Sequence, residues 1–424
     1  MPAPAPWAAL DGLRVWHPYT RHGDAPGPVP IARAVGAYLF DTRGRPIFDA
    51  ISSWWVTLHG HAEPTIARAV SEQAARMEQV IFAGFTHEPA ARLADELVAR
   101  LPQGLTRVFF SDDGSTAVEV ALKIALQYWR NRGTRRPAVA ALEHAYHGDT
   151  FGAMSVGARG LFTRAFDDHL FEVARLPDPS EGDPVAALGA LLDARGGEIA
   201  AVIVEPRLLG VAGMRVWSAD TLRALRVLTA ERGVPLIADE VLTGFGRTGP
   251  LFACRGAGIT PDVMCLSKGL TGGFLPLGVT AVREELFEAF RGPEPQRALY
   301  HGHSYTANPI ACAAARASLA LLDGACAARR SAIERAHERH LAALASHPAV
   351  RRPRVLGTMG AFDLAGDAAY QGPVGRALGE FALGEGVLLR PLGNVVYLLP
   401  PYCATAEDLA GAYAVIAAFL ERMC

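Results

Sequence analysis

Apolar, β-branched runs alternate with amphipathic segments of helical length along residues 65–325, and this alternation strongly constrains the fold. Helical periodicity covers 64–80 and 88–101 and recurs between the apolar runs. The runs that predict strands are 107–112, 137–142, 199–206, 234–241, 262–268 and 276–282. Strands that are apolar along their whole length are buried on both faces, which is typical of a mostly parallel sheet flanked by helices. The pattern therefore predicts a large α/β domain.

The chain beyond residue 325 has a different pattern, which predicts a smaller α+β domain. A helix is expected over 329–346 and another over 371–385, with short strands between them, strands at 386–390 and 394–399, and a closing helix. We interpret residues 1–64 as a segment that joins this small domain. The expected division is 1–64, 65–325 and 326–424, with a short frayed tail at the N-terminus.

Composition excludes several classes of protein. A formal net charge of −2 argues against a nucleic-acid-binding surface, and no apolar run approaches the ~20 residues that span a bilayer. The start of the chain does not resemble a secretory signal. None of the six cysteines forms a C-x-x-C pair, so we expect no metal site and no redox dithiol. Reduced thiols and a cytoplasmic location follow as expectations.

Lysine is almost absent from the chain. Of 41 basic residues, Lys123 and Lys268 are lysines and the rest are arginines. An arginine cannot be deprotonated in a protein, whereas a lysine amine can lose its proton and attack a carbonyl. Lys123 lies on a segment with helical periodicity and is interpreted as a solvated position. Lys268 is the candidate nucleophile.

Two of the predicted strands end in residues with complementary chemistry. Asp239 lies at the carboxyl end of the run that begins at Val234, and Lys268 ends the run that begins at Asp262, just before a glycine-rich turn. A desolvated amine has a lowered pKa, which is the condition for Schiff-base formation. A buried acid would keep the ring nitrogen of pyridoxal phosphate protonated. A structural Asp–Lys ion pair is the alternative interpretation.

The segment SDDGSTAVEVALK (111–123) predicts a phosphate site. Gly114 permits close backbone approach, and Ser115 and Thr116 lie in the first turn of a helix whose N-terminus favours an anion. The same residues could act as an N-cap alone. The segment is not a Walker A loop, because no GKS or GKT follows. Since the chain also lacks G-x-G-x-x-G after a strand, a nicotinamide-dependent oxidoreductase is disfavoured.

Weaker candidates lie elsewhere, each with an ordinary structural alternative. Tyr146 could stack on a planar cofactor or belong to a turn, and Ser304 or Thr306 could bind phosphate or cap a helix. The adjacent Trp54 and Trp55 either line an apolar pocket or pack in the core. Arg390 is either a surface charge or a bidentate partner for a substrate carboxylate.

Taken together, the motifs resemble those of class III, fold-type I pyridoxal-phosphate aminotransferases over nearly the whole chain. ADEVLTGFGRTG (238–249) and SKGLTGG (267–273) carry the resemblance to the class. WHPYT (16–20), SSWW (52–55) and RPLGNVVYLLPPY (390–402) are similar to the branch that acts in biotin biosynthesis. The resemblance implies an enzyme that moves an amino group from S-adenosylmethionine to 8-amino-7-oxononanoate by a ping-pong mechanism. It also implies a homodimer with active sites at the subunit interface.

The resemblance also implies roles for individual residues. Lys268 carries the cofactor and transfers the proton, and Asp239 pairs with the ring nitrogen. The residues implied in cofactor binding are Gly114, Ser115, Tyr146, Asp239, Lys268 and, from the partner subunit, His303 and Ser304. The residues implied in substrate binding are Tyr19, Trp54, Trp55, Tyr146, Asp149, Arg247, Gly302 and Arg390.

Two segments depart from the family pattern. Leu209 stands where the family has glutamine, and HGHSYTAN (301–308) is similar to relatives that take lysine as the donor. The alternatives are therefore lysine as donor for the same acceptor, or a class III ω-aminotransferase acting on a diamine or ω-amino acid. A cofactor-binding protein without catalysis is an alternative from another functional class.

Overall fold

The computed structural model describes residues 6–23, 27–366, 368–370 and 372–423. Strands are labelled β1 to β16 and helices α1 to α14 in chain order. The strands are Ile31–Val35, Tyr38–Asp41, Pro46–Asp49, Leu105–Ser111, Ala138–Leu142, Ala174–Leu176, Ile199–Val204, Leu208–Leu209, Arg215–Val216, Leu236–Asp239, Val263–Leu266, Gly278–Arg283, Val350–Leu356, Met359–Leu364, Val387–Leu388 and Val395–Leu398. The helices are Pro6–Arg14, Ser52–Trp55, Pro64–Ala74, Glu88–Val98, Gly114–Asn131, Phe151–Val156, Pro184–Arg195, Ala219–Glu231, Ala253–Gly256, Glu284–Glu288, Pro309–Ala320, Gly324–Leu344, Pro373–Gly384 and Ala406–Glu421.

The predicted α/β domain contains a seven-stranded sheet, counted over the described residues, in the order β4-β12-β11-β10-β7-β5-β6. Neighbouring strands from β11 to β6 are parallel, and β12 is antiparallel to both of its neighbours. The central strands β7, β10 and β11 are buried along their whole length, as continuous apolar runs require. The prediction of a mostly parallel sheet flanked by helices is confirmed.

Three smaller sheets lie outside the large one among the described residues. In the first, with the order β1-β2-β3-β15, the N-terminal strands pair with a strand from the C-terminal region, and β15 is parallel to β3. The second, β13-β14-β16, is antiparallel and packs against α12. The third is the antiparallel pair β8-β9. Residues from the start and the end of the chain therefore share the first of these sheets.

Several element boundaries differ from those predicted. The helix expected at 329 begins at Gly324, because the Asp323 side chain caps it by accepting from the backbone N–H of Cys326 at 2.8 Å. The expected frayed tail was wrong for residues 6–14, which form α1, while residues 1–5 lie outside the described part. Within the described ranges, no single helix meets the length and apolarity needed to cross a membrane. The helices Pro309–Ala320 and Gly324–Leu344, bent by 74°, meet that test only as a pair.

Candidate active site

The carboxyl ends of four parallel strands meet at one edge of the large sheet, and each of these ends carries a polar residue. Tyr146 and His147 come after β5, Glu205 after β7, Asp239 ends β10, and Lys268 comes after β11. These side chains line a cavity of about 430 Å³ together with the N-terminus of α5. Ligand sites of open α/β sheets lie at this edge.

Lys268 begins a short 3₁₀ turn, Lys268–Thr271, and its backbone φ is 44°. Its Nζ lies 5.1 Å from the centre of the Trp55 ring. Burial lowers the pKa of Lys268, and the carboxylates of Asp239 and Glu205 offset part of that effect. When burial lowers the pKa of a lysine, a larger fraction of its amine is neutral, and the neutral amine is the nucleophilic form.

Asp239 is buried and has two neighbours for its carboxylate. Its Oδ2 lies 2.7 Å from Nδ1 of His147, and its Oδ1 accepts from the backbone N–H of Val241 at 3.1 Å. The His147 Nε2 has no hydrogen-bond partner among the described residues. Sequence reasoning did not select His147. Its position next to Tyr146, directly after a strand, is the signal that could have found it.

Glu205 is a second buried carboxyl group in the cavity, and sequence reasoning missed it as well. It accepts from the backbone N–H of Tyr146 at 2.9 Å and from that of Gly210 at 3.1 Å. Burial raises the pKa of Glu205 to about 7; the negative charge of Asp239 adds to this, whereas His147 opposes it. Like Asp239, Glu205 lies at the carboxyl end of an apolar strand, and that shared placement is the signal in the sequence.

The N-terminus of α5 opens into the cavity at Gly114 and Ser115. Asp113, not Ser115, caps this helix, and it forms a capping box with Thr116. The Ser115 hydroxyl instead accepts from the backbone N–H of Asp149 at 3.2 Å. A Cβ at Gly114 would lie 2.6 Å from Val241 Cγ1, so only glycine fits there. The first turn of an 18-residue helix favours an anion at this point.

An aromatic wall, made of Tyr19, Trp54, Trp55 and Tyr146, adjoins the amine. The Tyr19 hydroxyl donates to Asp149 and lies 3.5 Å from the hydroxyl of Tyr146. The Tyr19 and Trp54 rings make an edge contact at 5.3 Å. Burial and the bond to Asp149 raise the pKa of Tyr19 to about 12, so it remains a neutral donor. Trp55 and Tyr146 line the cavity itself.

Arg390 and Arg247 have contrasting environments. The Arg390 guanidinium is half-buried and lies 4.8 Å from the centre of the Trp54 ring. Arg247 is fully buried and is not part of the cavity wall. It donates to the backbone carbonyls of Pro400 at 2.8 Å, Thr57 at 3.2 Å and Trp55 at 3.3 Å. Its geometry supports a structural role and gives no support to the predicted contact with substrate.

The loop carrying Gly302, His303 and Ser304 does not line the cavity of its own chain. His303 Nδ1 lies 3.3 Å from Oδ2 of Asp112, which does line it. The loop is also held by Lys123, whose Nζ lies 3.0 Å from Nδ1 of His301. Lys123 is exposed, as expected of a solvated position, but the structure gives it this additional partner. Leu209, the departure from the family pattern, is fully buried in β8.

Comparison with known proteins places the chain in a family. The family model for class III aminotransferases matches residues 19–420. The chain belongs to this family and is a pyridoxal-phosphate-dependent transaminase, as its sequence motifs predicted.

Individual relatives are similar over nearly their full lengths. An adenosylmethionine-8-amino-7-oxononanoate aminotransferase from Synechococcus elongatus is 52% identical over 96% of this chain and 99% of its own. The crystal structure of an enzyme of that name from Methanocaldococcus jannaschii is 34% identical, with a TM-score of 0.92 and coverage of 97% and 98%. An amine transaminase from an uncultivated Pseudomonas species, in its PLP-bound form, is 30% identical with a TM-score of 0.89 over 96% and 98%.

The chemistry of the cavity fits the cofactor of this family. Pyridoxal phosphate has an aldehyde, a ring nitrogen and a phosphate. The cavity offers an amine at Lys268, a buried carboxylate at Asp239 and an open helix N-terminus at Gly114 and Ser115. The buried, unpartnered Nε2 of His147 is a further polar atom available at this site.

Proposed function

We propose that the chain transfers an amino group from S-adenosylmethionine to 8-amino-7-oxononanoate, giving 7,8-diaminononanoate in biotin biosynthesis. The observation that carries this proposal is the 52% identity, over nearly the whole of both chains, to a relative named for these two substrates. The aromatic wall with Arg390 at its side supports it, because both substrates are long and carry a carboxylate.

The proposed mechanism assigns each buried polar group a task. When bound, pyridoxal phosphate supplies an aldehyde that accepts an amino group and a ring that withdraws electrons. Lys268 would hold the aldehyde carbon through its Nζ and then move a proton at the reacting carbon. Asp239, oriented by His147, would keep the ring nitrogen protonated. The first turn of α5 would bind the phosphate.

The proposed substrate contacts surround the amine. Arg390 would bind the substrate carboxylate, since a guanidinium presents two parallel donors to it. Tyr19 and Trp54 would pack against the aliphatic part, with Asp149 fixing the Tyr19 hydroxyl. Apolar walls with a few polar anchors suit a site that must accept two unlike substrates in turn.

The test of this function compares amino donors at a fixed concentration of 8-amino-7-oxononanoate. We expect S-adenosylmethionine to support formation of 7,8-diaminononanoate, with parallel lines in double-reciprocal plots as in a ping-pong mechanism. Lysine is the second candidate donor, favoured by the HGHSYTAN loop at 301–308. Turnover with lysine or a simple diamine, and none with S-adenosylmethionine, would contradict the proposal.

We further propose that the chain is a cytoplasmic homodimer in which His303 and Ser304 complete the phosphate site of the partner subunit. Support comes from an exposed apolar group beside their loop: Ile81, Phe85, Tyr300 and Tyr305. The Gln79 side chain donates to the carbonyl of Ser304 at 2.8 Å, which joins the two segments that carry this group. The cytoplasmic location is supported by free thiols at all five cysteines within the described residues.

A further inference from the structure

We propose that Asp49 is a positioning residue that sets the conformation of the tryptophan loop, residues 51–57, and through it the affinity for the amino acceptor. The role rests on the proposed use of Trp54 and Trp55 as a substrate wall. Asp49 itself does not line the cavity. It ends β3, in the sheet shared by the N-terminal and C-terminal parts of the chain.

The Asp49 carboxylate is fully buried, and its polar contacts are with this loop and with one histidine. Its Oδ1 accepts from the backbone N–H of Ser53 at 2.8 Å and from that of Ile51 at 3.3 Å. Its Oδ2 accepts from the Ser53 hydroxyl at 3.0 Å and lies 2.8 Å from Nε2 of His61. Both oxygens therefore hold Ser53, the residue directly before Trp54.

The loop needs such an anchor because its backbone is unusual. Ser52, Ser53 and Trp55 have φ values of 53°, 59° and 68°, in the left-handed region that residues other than glycine rarely adopt. Such conformations persist only where surrounding contacts fix them. The Ser52 hydroxyl donates to the carbonyl of Leu399 at 2.7 Å, and Trp55 Nε1 donates to the Tyr397 hydroxyl at 3.0 Å. Asp49 fixes the middle of the loop between these two points.

The anchored loop presents its two indoles to different parts of the site. Trp55 faces the cavity, with its ring centre 5.1 Å from Nζ of Lys268. Trp54 packs against Tyr19 and lies beneath the Arg390 guanidinium. Loss of the Ser53 contacts would release Trp54 first. The expected effect is therefore weaker substrate binding beside Arg390, and not a change in the reactivity of the Lys268 amine.

The test compares Asp49→Ala and Asp49→Asn in the holoenzyme with a matched control, Asp41→Ala. Asp41 ends the neighbouring strand β2 and also accepts two backbone bonds, from Arg43 and Arg45 at 2.9 Å each, but it does not contact the tryptophan loop. For Asp49→Ala we expect KM for the amino acceptor to rise about tenfold while kcat changes less than about threefold. The absorbance of bound cofactor should be unchanged. Asp49→Asn keeps one acceptor oxygen and should recover most of the affinity.

Two results would overturn the proposal: an unchanged KM in Asp49→Ala, or an equal rise in Asp41→Ala. If Asp49→Ala yields no folded holoenzyme, Ser53→Ala decides the question. Ser53→Ala removes only the hydroxyl contact and should raise KM about twofold to threefold, since one hydrogen bond to a charged group is lost. An unchanged KM in Ser53→Ala would then refute the role. Any donor and acceptor pair that supports turnover serves for these measurements, so failure of the proposed substrates is a separate result.

Discussion

His147 and Asp239 form a buried side-chain pair at the edge of the large sheet, with 2.7 Å between Nδ1 and Oδ2. His147 precedes Asp239 by 92 positions, and the two side chains meet because β5 and β10 end at the same edge. The pair fixes the orientation of the only acid that we assign to the ring nitrogen.

Replacing His147 with alanine should lower kcat by about tenfold or more, because the buried Asp239 carboxylate loses its side-chain partner. His147→Asn keeps a donor and should recover part of the loss. Steady-state kinetics at saturating cofactor measure the effect. His144→Ala is the control, since His144 is exposed and contacts Glu181 instead. Wild-type turnover in His147→Ala would refute the positioning role.

Borohydride reduction of the holoenzyme should place the cofactor adduct on Lys268. Lys123, the other lysine of the chain, is an internal control because its amine contacts His301 outside the cavity. Mass spectrometry of digested protein distinguishes the two peptides. An adduct on the Lys123 peptide, or none on the Lys268 peptide, would contradict the assigned nucleophile.

Arg247→Ala should lower the stability of the protein, whereas Arg390→Ala should weaken substrate binding. Removing Arg247 leaves three backbone carbonyls without their donor, and we expect a loss of unfolding free energy of about 2–4 kcal/mol. Removing the half-buried Arg390 should change the melting temperature little and raise substrate KM by about tenfold or more. Thermal melting and steady-state kinetics on both variants provide the comparison. Equal melting temperatures of the two variants would contradict this prediction.

Glu205 should make the stability of the protein decrease between about pH 4.5 and pH 7. Its folded-state pKa of about 7 lies above its usual value, so the folded chain retains a proton that the unfolded chain releases. This stabilisation is present below about pH 4.5 and is lost as the pH rises through 7. Denaturant unfolding at pH 5 and pH 8 should show a decrease that is smaller in Glu205→Gln, by on the order of 2 kcal/mol. An identical decrease in both proteins would mean that Glu205 does not titrate in this range.

Mixing two inactive variants should restore activity if the phosphate site is shared between subunits. Lys268→Ala lacks the amine, and the double variant His303→Ala, Ser304→Ala lacks the loop side chains that we assign to the partner's site. A heterodimer of the two contains one site with both features intact. Activity should therefore appear only after subunit exchange, measured on mixtures at increasing times. A mixture that stays inactive although heterodimers form would argue against shared sites.

The alternating pattern was sufficient to predict the class of fold and the edge of the sheet where the site lies. Lys268, Asp239, Gly114, Ser115 and Tyr146 are all in one cavity, since parallel strands place their following residues together. The direction of β12 could not be predicted, because a buried strand is apolar in either direction.

Contacts between segments that are far apart along the chain could not be predicted from the sequence. Arg247 lies in a motif rich in site residues, yet its donors point to the carbonyls of Trp55, Thr57 and Pro400. Backbone carbonyls carry no sequence signal, so only the assembled fold shows which of them lack a donor. The position of Asp49 under the tryptophan loop was hidden for the same reason.

The order of strands in the large sheet has a consequence for synthesis of the protein on the ribosome. At one end of that sheet, β4 is bonded to β12, which is translated much later than β4 and the adjoining α5. The nascent chain therefore emerges with an unpaired strand edge and an apolar helix face, both prone to aggregation until residue 283 has left the exit tunnel. Chaperones that shield this region during translation would act on the same segment that we propose as the phosphate site.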